Sequence, residues 1–184
     1  MFRLSQNPFW QDFFKFIVIA AFIIVPIRAW VAQPFIVRGP SMEPTFHDTE
    51  YLIVDEFSYH LREPKRGEVI VFRYPEDPSK FFIKRVIGLP GETVEIRENK
   101  VFLTRDEKTE ELQESYLAEA LTTPNKTVKV SEGQYFVMGD NRLFSSDSRR
   151  WGSLPRELII GRALVRLWPP QRLAVLPGFY QYGF

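Results

Sequence analysis

One serine near the start of the chain stands between two prolines, in the stretch RGPSMEPTF at positions 38–46. Each proline fixes its own φ near about −65° and biases the residue before it toward an extended conformation. Residues 39–45 are therefore predicted to form a rigid, non-helical connection that presents Ser41. Rigid presentation suits a nucleophile, because its oxygen must be held in line with a carbonyl carbon while a backbone N–H faces the developing oxyanion. An ordinary proline-containing turn would explain the same letters.

A nucleophilic serine needs a base, and the histidine candidates are few. The chain has 2 histidines, His47 and His60, and no cysteine. This composition excludes a multi-histidine metal site, disulfides, thiolate catalysis and Cys-type zinc sites. His47 lies close to Ser41 in the chain and His60 lies in a polar stretch, so a Ser/His/Asp triad stays open. The G-x-S-x-G elbow of the α/β-hydrolases does not occur around Ser41.

Lys84 is the other candidate base, in the run FFIKRVI at positions 81–87. Side chains alternate along a strand, so Lys84 shares a face with Phe82 and Val86 while Arg85 points the other way. An amine on an apolar face is desolvated, which disfavours its charged form and lowers its pKa. The neutral amine can then accept a serine proton near neutral pH. The alternative is a strand lysine whose ammonium group reaches solvent.

A third polar stretch, GDNRLFSSDSR at positions 139–149, combines hydroxyl groups with charges of both signs. Ion pairs around a turn would hold such a stretch in shape, and a hydroxyl in it could orient an amine. Alone, the same letters describe a solvated loop, where exposed ion pairs contribute only ~0–1 kcal/mol.

The elements that must position these residues begin with an apolar segment, FFKFIVIAAFIIVPIRAW, at positions 13–30. With its flanking charges snorkelling, it approaches the ~20 residues of a spanning helix, and a transmembrane anchor is predicted at 13–32. A buried core helix and a cleavable signal peptide are the alternatives, but no convincing small-x-small cleavage site follows. Basic residues on both sides leave the orientation undecided.

Short runs rich in β-branched and aromatic residues follow the anchor, separated by turn signals such as LPG at 89–91. They predict a mainly β fold, with an antiparallel β-sheet catalytic domain over 33–184. The charged segment at about 97–130 is predicted to be a small inserted flap, β or irregular. With 24 basic and 23 acidic residues among 184, the chain has no global field that would attract nucleic acid.

In combination, these residues resemble the bacterial type I signal peptidases, membrane-anchored serine proteases with a Ser/Lys dyad. The family's nucleophile motif S-M-x-P-T matches positions 41–45, and its lysine motif K-R-V-x-G-x-P-G-[DE] matches positions 84–92. Its third motif, G-D-N-x-x-x-S-x-D-S-R, matches positions 139–149. The three motifs occur in the family's order after the apolar segment, and the resemblance extends to Trp168.

The resemblance implies that Ser41 is the nucleophile and Lys84 the general base, later the proton donor to the leaving amine. Ser145 would orient the Lys84 amine, and Asp147 and Arg149 would form a structural ion pair near the site.

The backbone N–H of Ser41 would form the oxyanion hole. Some family members add a serine hydroxyl at the position of Gly39, so the second donor in this chain is not identified. Asp140 and Asn141 would shape the turn of the third motif.

The resemblance also implies a substrate, since the family cuts after an A-x-A-like site in the signal peptides of exported preproteins. The substrate strand would lie extended between residues 35–39 and 81–84, paired by backbone hydrogen bonds. Apolar side chains would line its two shallow pockets, namely Phe35, Val37, Met42, Phe46, Phe82 and Ile83.

The implied location is the cytoplasmic membrane of a bacterium, with residues 1–12 cytoplasmic and the catalytic domain on the outer face. The implied partners are preproteins and the lipid bilayer, with no metal, other cofactor or nucleic acid. A related peptidase that matures a dedicated pilus or conjugation substrate is the alternative enzyme. Self-cleaving repressors pair serine with lysine too, but they carry a DNA-binding domain. A membrane-tethered β module with an inert Ser41 is the non-enzymatic alternative.

Overall fold

Two antiparallel β-sheets contain most of the chain in the computed structural model, which describes residues 8–30, 32–117 and 125–183. The mainly antiparallel β fold is therefore confirmed. The helices are α1 Pro8–Trp30, α2 Ser58–Leu61 and α3 Ser148–Trp151. The strands are β1 Ala32–Ile36, β2 Tyr51–Asp55, β3 Val69–Tyr74, β4 Asp77–Gly88, β5 Thr93–Arg97, β6 Lys100–Arg105, β7 Lys108–Glu111, β8 Lys126–Lys129, β9 Gln134–Met138, β10 Leu154–Pro155, β11 Ile159–Trp168 and β12 Ala174–Val175. Short 3-10 turns occupy Arg156–Leu158 and Pro170–Arg172.

The larger sheet has the strand order β1-β2-β11-β3-β4-β9-β10, with β12 paired to β11. Its core face is rich in large apolar side chains from neighbouring strands, such as Ile70, Phe72, Val86 and Val137. Within the described residues β4 pairs with β9 only from Arg85 onward, and β1 pairs only with β2. The first part of β4 and the outer side of β1 therefore keep free backbone groups.

The predicted flap is an ordered four-stranded sheet, with the strand order β7-β6-β5-β8. Two-residue turns join β5 to β6 and β6 to β7, and both residues of each turn have positive φ, as hairpins of this length require. Alternate residues of β5 and β6 point inward and pack against Ile87, Phe136 and Met138 of the larger sheet. The insertion is thus fixed to the face of β4 that carries Ile87, although positions 118–124 of it lie outside the described residues.

The segment predicted as an anchor forms helix α1, whose described side chains from Phe9 to Phe22 are largely exposed. Among the described residues, no helix combines the length and the apolar character that crossing a membrane requires. The unbroken apolar run between Lys15 and Arg28 covers only positions 16–27, short of the ~20 residues of a spanning helix. The transmembrane part of the fold prediction is therefore not confirmed. Positions 1–7 and 31 lie outside the described residues.

Candidate active site

Ser41 and Lys84 are brought together by the fold, with the Lys84 Nζ 2.8 Å from the Ser41 Oγ. Lys84 lies on β4, just before the part of this strand that pairs with β9. Ser41 lies in the turn that follows β1. The Nζ also donates a hydrogen bond to the carbonyl oxygen of Ile83 at 2.7 Å, so its position is fixed by two oxygens. This contact is the one that a serine nucleophile with a lysine base requires.

Burial changes the proton affinity of the Lys84 amine. The residue is only 3% exposed, and its Nζ lies 5.3 Å from the centre of the Phe82 ring. Desolvation lowers the pKa of Lys84 from 10.5 to about 8, against the opposing effect of the negative charges of Asp147 and Asp140. A substantial fraction of the amine is therefore neutral near physiological pH, as a general base must be.

The turn that carries Ser41 is held by one hydrogen bond to a nearby carboxylate and by one backbone hydrogen bond to the third motif. The N–H of Gly39 donates to the Asp48 carboxylate at 2.7 Å, and the Asn141 N–H donates to the Ser41 carbonyl at 3.1 Å. Gly39 has a φ of +81°, in the left-handed region where a serine would be strained. This conformation gives a physical reason for glycine at a position where some members of the resembled family have serine.

Asp147 organises the third motif. Both of its oxygens contact the Arg149 guanidinium at 2.8 Å, and its Oδ2 also accepts from the Gly139 N–H at 3.0 Å and from the Ser145 hydroxyl at 2.7 Å. Hydrogen bonds and the Arg149 charge hold the pKa of Asp147 below its usual value, although burial alone would raise it. The ion pair expected between Asp147 and Arg149 is present, and it anchors Ser145.

Ser145 approaches Ser41 across a glycine. A side chain at Gly139 would collide with both the Ser145 hydroxyl and the Ser41 carbonyl oxygen, so the two serines flank this backbone position. The Ser145 hydroxyl donates to Asp147, whereas the hydrogen bonds found for the Lys84 amine go to Ser41 and Ile83. Because a hydroxyl that donates one hydrogen keeps its lone pairs, the Ser145 oxygen retains the capacity to accept a hydrogen bond.

Asp140 does more than shape a turn, which is the role assigned to it from sequence. Its carboxylate is buried against Arg85, with the Nε to Oδ1 distance at 2.8 Å, and it accepts from the Thr45 hydroxyl at 2.5 Å. Arg85 is only 1% exposed. The pair was missed because strand alternation predicts which way Arg85 points, but not that the opposite face is buried as well.

A cleft of about 560 Å³ adjoins Ser41 and Lys84. Four of the predicted pocket residues line it, namely Phe35, Val37, Phe82 and Ile83. The lining also includes residues that sequence reasoning did not select, among them Ile36, Leu52, Val71, Phe81 and Phe144.

Met42 and Phe46, which were also predicted to line the substrate pockets, are not among the residues that line this cleft. The Phe46 N–H donates to the Met42 carbonyl at 2.9 Å, so one tight turn places both side chains on its inner side. Both are completely buried, in a cluster with Val37, Leu52 and Val69. They support the turn of Ser41 from below instead of facing the cleft.

Over the described ranges, no three His, Asp or Glu side chains are arranged to hold a metal ion.

Comparisons with known proteins connect this geometry to a family. A family model described as signal peptidase, peptidase S26, matches residues 10–168. A probable signal peptidase I-2 of Synechocystis sp. is 40% identical over 173 residues, covering 91% of this chain and 77% of that protein. A signal peptidase I of Leptolyngbya laminosa is 40% identical over 169 residues, covering 88% and 81%. A crystal structure of a signal peptidase I from Enterococcus faecalis V583 is 34% identical and matches 55% of this chain and 97% of that one, with a TM-score of 0.48.

Proposed function

Because the chain belongs to the signal peptidase family, peptidase S26, and is a hydrolase of the signal peptidase I type, we propose that Ser41 and Lys84 are its catalytic dyad. The substrate is the signal peptide of an exported preprotein. The observation that carries this assignment is the 2.8 Å contact between the Ser41 hydroxyl and the buried amine of Lys84. A hydroxyl and an amine at this distance can exchange a proton directly.

The reaction follows from the two groups. The neutral Lys84 amine takes the Ser41 proton as the Oγ attacks the scissile carbonyl carbon, and the Ser41 N–H stabilises the resulting oxyanion. The Lys84 ammonium then protonates the departing amine of the mature protein, which leaves an ester between Ser41 and the signal peptide. Lys84 next deprotonates a water molecule, whose attack on the ester releases the signal peptide and restores the hydroxyl.

Ser145 orients the amine while these protons move. Its hydrogen is committed to Asp147, which leaves the oxygen as an acceptor beside the dyad. Asp147 is itself held by Arg149 and by the Gly139 N–H, so the acceptor has a fixed position. The arrangement parallels the way in which an aspartate orients the histidine of a Ser-His-Asp triad.

The substrate binds as an extended strand in the cleft, between the free edge of β1 and the free first part of β4. Backbone pairing of this kind tolerates many sequences and leaves selection to the side chains that face pockets. Phe35, Val37, Phe82 and Ile83 line the cleft with large apolar groups, which would favour apolar side chains of the substrate. Cleavage after an A-x-A-like site is the specificity that the resemblance to the family implies, and apolar pockets of small depth would support it.

For the location we propose the outer face of a bacterial cytoplasmic membrane, with α1 as the element that contacts lipid. The helix exposes large aromatic side chains along its described length, including Phe9, Trp10, Phe14 and Phe22. Exposed aromatic side chains of this kind favour the interface between membrane and water. Flotation of the full chain with phospholipid vesicles tests the attachment, and a chain that stays at the bottom of the gradient contradicts it.

The dyad is tested by single substitutions in the full chain, in detergent, with a preprotein that carries an A-x-A site. Ser41→Ala and Lys84→Ala should each lower kcat/KM by about 10⁴-fold or more, as the loss of a catalytic nucleophile or base does. Ser79→Ala and Lys100→Ala are matched controls, because both side chains are exposed and neither lines the cleft. Cleavage by either dyad variant at the rate of the controls would reject the assignment.

A further inference from the structure

The inserted sheet reaches the third motif through a buried carboxylate. Glu114 lies shortly after β7, and its Oε2 accepts a hydrogen bond from the Arg142 Nη1 at 3.0 Å while its Oε1 contacts the Nη2. The two side chains are only 7% and 3% exposed, respectively. The Tyr116 hydroxyl also donates to the Glu114 Oε1, at 2.6 Å. The fork of Arg142 is therefore fixed from the insertion by a two-point contact.

The other side of Arg142 holds the backbone beside the dyad. Its Nε donates to the Gly139 carbonyl at 2.9 Å, and its own carbonyl accepts from the Arg149 Nη2 at 2.7 Å. Gly139 is the position flanked by the Ser41 carbonyl and the Ser145 hydroxyl. Two contacts in succession, Glu114 to Arg142 and Arg142 to Gly139, thus connect the insertion to the two serines.

A second contact leads from the same segment to the next residue of the motif. The Tyr116 ring lies 4.0 Å from the guanidinium carbon of Arg85, and Arg85 holds the carboxylate of Asp140. Segment 114–116 therefore contacts both arginines that fix Gly139 and Asp140. The adjacent Asn141 N–H binds the Ser41 carbonyl, which places the whole network directly behind the nucleophile.

We propose that Glu114 is a positioning residue for the hydrolysis: through Arg142 it sets the location of Gly139, and thereby the relative placement of Ser41 and Ser145. The inference rests on the proposed function and gives the insertion a part in it. The physical reason is that the buried Arg142 guanidinium without its carboxylate must seek another partner. A shift of Gly139 then follows, and a misplacement of about 1 Å can cost about 10²-fold in rate.

A second triad of the same composition, built around the buried carboxylate of Glu68, provides the matched control. Glu68 accepts from the Arg62 Nη2 at 2.6 Å and from the Tyr59 hydroxyl at 2.8 Å. None of these three residues lines the cleft. Substituting Glu68 therefore removes an equivalent carboxylate without loosening Gly139.

The experiment compares Glu114→Gln with Glu68→Gln in the full chain, at a temperature where both are folded. We expect kcat to fall about 10- to 100-fold in Glu114→Gln with KM changed less than about threefold, because the reacting groups move while the strands β1 and β4 beside the cleft do not. The acid limb of its pH profile should also move to lower pH, since Asp147, which raises the pKa of Lys84, lies in the loosened loop. Glu68→Gln should lose stability yet keep the kcat and the pH profile of the unchanged enzyme.

A wild-type kcat in Glu114→Gln would overturn the inference. So would a loss of kcat in Glu114→Gln no larger than that in Glu68→Gln. If Glu114→Gln does not fold, the double variant Glu114→Met/Arg142→Met replaces the pair by apolar groups, a change that is often neutral for stability. The double variant removes the donor to the Gly139 carbonyl, so the loss in kcat should persist. An unchanged kcat in the double variant would also overturn the inference. Failure of the dyad itself would appear separately, as cleavage by Ser41→Ala.

Discussion

Lys84 and Arg85 are consecutive residues of β4, and both are almost fully buried. The two basic side chains differ in how their positive charge is accommodated. On one face, Arg85 contacts the Asp140 carboxylate through two nitrogens and remains charged. On the other face, Lys84 contacts only a hydroxyl and a carbonyl oxygen, and its pKa falls to about 8. A guanidinium cannot lose its proton in a protein, whereas an amine can.

The difference shows how one strand supplies both structure and chemistry. The face with a counterion fixes Asp140 and, through it, Thr45 in the turn that carries Ser41. The face without one holds an amine that is able to accept a proton. Alternation along β4 makes neighbours face opposite ways, so a single strand positions both the ion pair and the proposed base.

The largest effect is expected from removing the paired cation. Arg85→Met leaves the buried Asp140 carboxylate without its partner and should lower the free energy of unfolding by about 3–5 kcal/mol. Urea unfolding at neutral pH measures the change. The double variant Arg85→Met/Asp140→Leu should recover most of the loss, because no charge then remains buried. A loss below about 1 kcal/mol in the single variant would show that the ion pair is dispensable.

Burial of the neighbouring cation, Lys84, is expected to lower the stability of the folded chain instead of raising it. The pKa of Lys84 is lower in the folded chain, at about 8, than the ordinary value of 10.5, so the unfolded chain binds more protons between these values. The stability of the unchanged enzyme should therefore rise from about pH 8 to pH 10.5, and the penalty below pH 8 is on the order of 3 kcal/mol.

Lys84→Met removes that penalty but leaves the Ser41 hydroxyl without a partner, at a cost of about 1 kcal/mol. At pH 7 the variant should be more stable than the unchanged enzyme by about 1–3 kcal/mol, and the gain should vanish as the pH approaches the ordinary lysine pKa. Urea unfolding at pH 7 and pH 10 compares the two. A destabilised variant at pH 7 would mean that Lys84 is paired in a way that the two contacts do not reveal.

The smallest effect is expected on the pH dependence of activity, from removing the negative charge of Asp147 near Lys84. Activity should rise with pH on a limb near pH 8, because the base must be neutral. The Asp147 charge raises the pKa of Lys84, so Asp147→Asn should move this limb to lower pH by up to about one unit, whatever happens to kcat. Asp77→Asn is the control. Asp77 forms an exposed ion pair with Lys80 at the start of the same strand, so its substitution removes a carboxylate charge from an exposed position of β4. An unmoved limb, or one at higher pH, would contradict the assignment of Lys84 as the base.

Much of the larger sheet follows from local patterns, whereas the choice of Ser41 and Lys84 as the proposed dyad also needed the three motifs of the resembled family. Alternation predicted that Lys84 shares a face with Phe82, and the Nζ lies over that ring. The insertion was predicted only as a flap, because its hairpin turns contain Glu98, Asn99, Asp106 and Glu107 instead of glycine. The direction of Met42 and Phe46 could not be predicted, since it depends on one backbone hydrogen bond within the turn.

The sequence by itself determined the residue types, their order and the strands that carry them, because side-chain alternation and proline geometry act over a few neighbouring residues. It therefore made Ser41, Lys84 and the third motif candidates, and the family's three motifs chose among the alternatives. Only the tertiary structure decided the environment of each group: which cation meets a carboxylate, which apolar side chains turn inward, and how the insertion reaches Gly139. Burial and charge pairing depend on segments far apart in the chain, and these set the protonation state on which the chemistry depends.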